Sequence, residues 1–237
     1  MTKLKGRGIM SSILVMGDSH EKRKLVNQLF EKYIERAILP DTIIHLGDGY
    51  KDMDDIVENC KNTGIIRIVG NDDYPKKEDV RVVTEGNIRF VCCHRDYEFL
   101  HNHEIINVLQ LIRFVASKEV KDTEAYTLGE LSGILLEQRI SRTNIEANPE
   151  INTVVLLSAH THRVELEEVD YGPMGGLKII QMSTGSISEP RDFNPPCHGF
   201  IEVLDTGGAS LEIRENQGLS SIRRLEVINQ PKVDTEL

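Results

Sequence analysis

Three short apolar runs, "ILVMGD" (13–18), "TIIHLGD" (42–48) and "GIIRIVGN" (64–71), each stop at a glycine followed by Asp or Asn. Runs of this length, rich in branched residues and closed by turn formers, read as strands. Their near-continuous apolarity requires cover on both faces. The segments between them carry a helical period. In "SHEKRKLVNQLFEKYIERAIL" (19–39), Leu25, Leu29, Tyr33 and Ala37 recur at helical spacing, and "DMDDIVENCKN" (52–62) opens with acidic residues suited to a helix N-terminus. Strand–helix alternation of this kind predicts an α/β fold with a largely parallel sheet covered by helices.

The pattern then changes. "DVRVVTEGNIRFVCCH" (79–94) predicts a hairpin about Gly86-Asn87, with its second strand ending at His94. Between 101 and 142, "HEIINVLQLIRFVASKEV" and "TLGELSGILLEQRIS" predict two helices with wide apolar stripes. The stripe Ile105, Leu109 and Ile112, with Ile106 and Val115, reads as core or interface, or as a lid. "INTVVLLSAHTHR" (151–163) is a further strand, and four β-like runs follow: "VELEEVDY", "LKIIQMSTGS", "HGFIEVLD" and "SLEIREN". No linker divides the 237 residues, so one domain over 1–237 is expected, with a helical insertion at about 101–142 and a flexible tail at 229–237.

A net charge of −10 without a basic stripe argues against a stable nucleic-acid partner and against a nuclease acting on long polymers. Cys60, Cys92, Cys93 and Cys197 show no C-x-x-C spacing, which points to reduced thiols. No apolar run reaches membrane-spanning length. A cytoplasmic protein with no membrane association is expected.

Polar side chains gather where strands stop: Asp18, His20, Asp48, Asn71, His94, His160 and His162. The carboxyl ends of strands in α/β sheets are where ligands bind. Singly, "GDG" is an ordinary turn and Asp18 an ordinary helix cap. Jointly, seven N and O donors exceed what one tetrahedral ion needs, which implies two divalent cations with Asp48 as the bridging carboxylate. His45 reads as a core histidine, and His101 and His103 as solvent-facing. His198 is left open as a residue bordering the cleft. Arg191 is either a phosphate fork or a surface ion pair.

The blocks "GDSH" (17–20), "GDG" (47–49), "GND" (70–72), His94 and "AHTH" (159–162) resemble, in order and spacing, the signature of the calcineurin-like metallophosphoesterases. The small bacterial and archaeal phosphodiesterases are the branch they resemble most, and "STGSISEPR" (183–191) is similar to that branch's "NPGS…PR" segment. The resemblance implies a four-layer α/β/β/α sandwich of two mixed β-sheets. It implies one metal on Asp18, His20, Asp48 and His162 and another on Asp48, Asn71, His94 and His160. Mn²⁺ is the expected ion, with Fe, Zn²⁺ or Ni²⁺ as alternatives.

The implied activity is hydrolysis of small phosphodiesters, with phosphomonoesters as a second substrate class, by metal-activated hydroxide. Asp48, Asn71 and His94 would be catalytic, and Asn71, Arg95 and Arg191 would contact substrate. Asp72 stands where many members carry a histidine that assists the leaving group, and Arg95 follows His94 where glycine is usual. Without that histidine, substrates with acidic leaving groups are favoured. The alternative is a metal-binding scaffold of the same fold that holds a protein partner through the helical insertion. A homodimer would also fit the insertion's apolar stripe.

Overall fold

The computed structural model describes residues 8–74, 79–95, 107–120, 125–141, 146–171 and 176–228. The chain opens with β1 (Ile9–Met16), α1 (Arg23–Glu35), β2 (Thr42–His45), a 3₁₀ turn (Tyr50–Met53), α2 (Asp54–Asn59) and β3 (Gly64–Arg67). The hairpin β4 (Asp79–Glu85) and β5 (Ile88–Cys93) follows, turning at Gly86 with φ +61°. Then come α3 (Val108–Val115), β6 (Ala125–Thr127), α4 (Leu128–Ser141), β7 (Thr153–Ser158), β8 (Val164–Glu168) and β9 (Lys178–Thr184). Three antiparallel strands close the described chain: β10 (Cys197–Leu204), β11 (Ala209–Glu215) and β12 (Ser221–Val227).

Among the described residues the strands form two six-stranded mixed sheets, ordered β12-β11-β10-β1-β2-β3 and β6-β4-β5-β7-β9-β8. The parallel arrangement read from the strand–helix alternation holds for β1-β2-β3 and for β5-β7-β9. Antiparallel strands complete each sheet.

Period-two alternation sorts side chains into three cores. Ile13, Val15 and Ile44 of the first sheet meet Phe90, Cys92, Val155 and Leu157 of the second between the sheets. Their neighbours Leu14, Met16 and Ile43 face outward onto α1 and α2. Val91, Cys93, Val154 and Leu156 face outward onto α3 and α4. The result is an α/β/β/α sandwich. Gly17 and Ala159 mark where the strand ends of the two sheets come close, since a Cβ on Gly17 would lie 2.8 Å from that of Ala159.

Two apolar stripes sit differently from their sequence reading. In α1 the buried face is Val26, Leu29, Phe30 and Tyr33, while Leu25 is exposed and Ala37 lies beyond the helix at φ +55°. In α3 the buried face is Val108, Leu111, Ile112, Phe114 and Val115, and Leu109 points outward. Both stripes contained two compatible rows, and docking onto an existing sheet selected one. The described part of 101–142 is the fourth layer of the sandwich, so its apolar face is core. Buried Arg89 on β5 ties this layer down, its guanidinium donating to the carbonyls of Val115 and Ser117 at the end of α3. Strands β6 and β12 were not foreseen. The expected tail, Ile105, Ile106, His101 and His103 lie outside the described residues.

Candidate metal centre

Each candidate ligand leaves the end of a strand. Asp18 and His20 follow β1, Asp48 follows β2, Asn71 follows β3, His94 follows β5, and His160 and His162 follow β7. Both sheets therefore contribute. Asp18, His20, Asp48, His160 and His162 all adopt positive φ, between +44° and +65°. Left-handed backbone is strained for non-glycine residues and persists where surroundings enforce it, as at ligand-binding turns. Backbone hydrogen bonds hold it here: Asp18 N donates to Gly47 O at 3.0 Å, and His20 N to Asp48 O at 2.8 Å.

The side chains converge into overlapping groups. Asp18, His20 and His162 form one, Asp48, His94 and His160 a second, and His20, Asp48 and Asp72 a third; within each, the ligand atoms lie within 4.8 Å of one another. His20 Nε2 stands 3.2 Å from His162 Nε2. His94 Nε2 lies 3.2 Å from Asp48 Oδ2, 2.9 Å from Asn71 Oδ1 and 3.3 Å from His160 Nδ1.

Hydrogen bonding fixes which nitrogens face inward. His94 Nδ1 is 2.9 Å from the Leu46 carbonyl, and His162 Nδ1 is 2.7 Å from that of Glu189. A carbonyl only accepts, so both Nδ1 atoms carry a proton, and in its neutral form each ring aims an Nε2 lone pair into the cluster. Lone pairs on His94, Asp48 and Asn71 thus confront one another. Such a set binds a cation, either a proton or a metal ion.

The electrostatics agree. Burial raises the pKa of the Asp18 carboxyl to about 7, against the opposing pull of His94. Its Oδ2 is buried with no hydrogen-bond partner among the described residues. Burial acts against the charge on Asp48 too, but the hydrogen bond and charge of His94 outweigh it and leave this carboxyl below its usual range. His94 is correspondingly raised, its burial overcome by Asp48 and Asp18. Burial lowers His162. An orphaned buried carboxylate oxygen beside converging imidazole nitrogens and carboxylate and amide oxygens fits a divalent metal centre.

Arg191 is exposed, donates its amide to His162 O at 3.1 Å, and its cation acts on Asp18 and His162. Arg95 is half-buried beside His94. His45 is fully buried, its Nε2 3.0 Å from Ser19 Oγ. His198, which sequence left as a cleft candidate, lies instead in the core, 2.7 Å from both Tyr33 Oη and Asn216 Oδ1. On β10, an interior strand between β11 and β1, the alternation turns it toward α1 rather than toward the ligands. Sequence reading missed Asp73, which accepts the amides of Asp48, Gly49, Tyr50 and Gly70. It also missed Ser186 and Ser188, whose hydroxyls both donate to Asp18 O at 2.8 Å. The doubled acid of "GNDD" was the only hint of the first.

A two-sheet α/β sandwich with clustered His and Asp at its strand ends defines a metallophosphoesterase-like class of protein. The chain belongs to the calcineurin-like phosphoesterase superfamily, whose domain model matches residues 11–206. In fold it is similar to YfcE, a phosphoesterase from E. coli, with a TM-score of 0.55 and 14% identity over 92% of this chain and 100% of that one. A predicted phosphoesterase from Streptococcus pneumoniae TIGR4 gives 0.49 and 18% over 91% and 97%. Zn-complexed Vps29 from Entamoeba histolytica gives 0.45 and 16% over 91% and 98%. A search of curated proteins finds no match.

Proposed function

We propose that this protein is a dinuclear metal-dependent phosphodiesterase acting on small phosphodiesters. The observation that carries this reading is the convergence of His94 Nε2, Asp48 Oδ2 and Asn71 Oδ1 together with the unpartnered Asp18 oxygen. Asp18, His20, Asp48 and His162 would hold one cation and Asp48, Asn71, His94 and His160 the other, with Mn²⁺ the expected ion. When bound, the cations supply Lewis-acid polarisation of the phosphoryl group and a nucleophile from water near neutral pH.

The chain's own residues do the rest. The Leu46 and Glu189 carbonyls lock the His94 and His162 tautomers, so no ring must reorient before ligating. The exposed guanidinium of Arg191 would fork onto phosphoryl oxygens, Asn71 Oδ1 faces the same centre, and Arg95 follows His94 in the chain. Asp72 offers a carboxylate where many relatives have an imidazole, and a carboxylate is the poorer proton donor near neutral pH. Acidic leaving groups follow from that. Four free thiols, Cys60, Cys92, Cys93 and Cys197, support a reducing, cytoplasmic setting.

The test is hydrolysis of bis(p-nitrophenyl) phosphate by metal-stripped protein, with and without Mn²⁺, beside Asp48→Asn. Turnover should require the metal, fall by roughly two orders of magnitude in the variant, and slow as the leaving group becomes less acidic. Metal binding without turnover under any divalent cation would move the reading to a scaffold.

A further inference from the structure

The proposed phosphodiesterase reading leaves the substrate's organic group unassigned, and the following rests on that reading. A cleft of about 370 Å³ adjoins the centre, lined by His20 and Asp48 and, beyond them, by Tyr50, Lys51, Asp72 and Tyr74.

Tyr50 is a fixed platform. The Arg67 guanidinium lies 4.1 Å from its ring centroid, and Arg67 Nη1 donates to Tyr50 O at 3.2 Å and to Asp54 Oδ1 at 2.8 Å. One face of the ring is thereby covered and the ring is held before any ligand arrives. Tyr74 is the opposite case: the residue is 81% exposed while lining the same cleft. A single exposed aromatic is ordinary on a surface. Two aromatics lining one cleft beside a metal centre are not.

Charge narrows the occupant. Both oxygens of Asp73 are engaged by backbone amides, and Asp52 accepts from Ser19 Oγ at 2.6 Å. Glu21 and Asp72, whose Oδ1 accepts from Asn71 Nδ2 at 3.0 Å, add further negative charge, against Lys51 as the one lysine or arginine among the described residues of the lining. This lining disfavours a second phosphate and leaves aromatic surface as the attraction.

We infer that the cleft binds an uncharged planar aromatic group of the substrate against Tyr50 and Tyr74 while its phosphoryl group sits at the metal centre. A nucleobase and a simple aryl ring share this chemistry.

Calorimetric titration of Mn²⁺-loaded protein with inorganic phosphate, methylphosphonate, phenylphosphonate and adenosine monophosphate tests it. Phenylphosphonate should bind roughly five- to tenfold tighter than methylphosphonate, a gain that stacking of one ring supplies. The advantage should shrink to within about twofold in Tyr74→Ala and in Tyr50→Leu. The chain contains no tryptophan, so Tyr74→Trp gives a single tryptophan, excited selectively over the tyrosines, whose fluorescence should change saturably with phenylphosphonate and not with methylphosphonate. Tighter binding of the nucleotide than of phenylphosphonate assigns the occupant as a nucleobase, and the reverse order as a plain aryl group. Equal affinities for the two phosphonates overturn the inference and leave the metal reading standing. Failure of inorganic phosphate itself to bind overturns the metal reading and this inference with it.

Discussion

Asp73 takes four backbone amides, from Asp48, Gly49, Tyr50 and Gly70, onto two carboxylate oxygens at 2.8 to 2.9 Å. It thereby fixes the loops after β2 and β3 in the positions that aim Asp48 and Asn71. Gly70 completes the arrangement, since a Cβ there would lie 2.2 Å from Asp48 Oδ1. Removing the carboxylate strands several amides, and hydrogen bonds to a charged acceptor are the strong ones. Asp73→Ala should therefore lose about 3 kcal/mol of stability and weaken Mn²⁺ binding about tenfold or more. Asp73→Asn, with one acceptor oxygen, should fall between. Urea unfolding and metal titration check both, and an unchanged midpoint with unchanged affinity would remove the positioning role. The cluster was legible in sequence because seven imidazole, carboxylate and amide groups at successive strand ends have few joint structural uses, although each alone reads as an ordinary turn or cap. Their left-handed backbone and the Asp73 clasp were not, because both arise from contacts between loops about 25 residues apart.

At the scale of elements, the strand–helix units and the hairpin could be read from periodicity and turn chemistry. β6 and β12 could not. β6 is three residues long and runs straight into α4, and β12 is largely exposed, with charged residues on its edge. The helix faces shifted because only the sheet beneath decides which row of an ambiguous stripe is buried. One such contact has a measurable signature. Tyr33 of α1 meets His198 of β10, and the ring is fully enclosed, with Nδ1 donating to Asn216 Oδ1 and Nε2 accepting from Tyr33. Burial lowers the His198 pKa to about 3, with Arg214 and Lys32 adding to the effect. A folded-state value below the unfolded one means the unfolded chain takes the proton first, so stability drops as pH falls from 6.5 toward 3. His45, lowered to about 4 by burial, acts in the same direction. In chelated protein, the loss of stability between pH 7 and pH 5 should be smaller by about 2 kcal/mol in His198→Gln than in wild type. Urea unfolding at the two pH values measures it, and equal losses would show that this histidine does not set the acid limb.

For the molecule as a whole, the centre is a seam between two sheets. The first sheet supplies Asp18, His20, Asp48 and Asn71, and the second supplies His94, His160 and His162. The His94 side chain already crosses the seam to Leu46, and the amide of His160 crosses it to Asp18 Oδ1 at 3.2 Å. The sandwich was readable because its signature blocks lie at successive strand ends. How the two sheets face each other was not, since that depends on close approaches such as Gly17 to Ala159. A cation bound across the seam stabilises only the folded chain, by about 2.7 kcal/mol at a hundredfold excess over Kd. For a chain of this size that is roughly 5–10 °C in Tm. The gain should grow with pH. In metal-free protein Asp18, raised to about 7 by burial, favours its neutral form, so stability from this group is lost as pH rises from 3.8 through 7. A cation pairs with the ionised form and reverses that loss. Calorimetric scans with Mn²⁺ and with chelator should therefore differ more at pH 8 than at pH 6, and the difference should shrink in Asp48→Asn. A Tm indifferent to metal at both pH values would mean that the seam holds no cation.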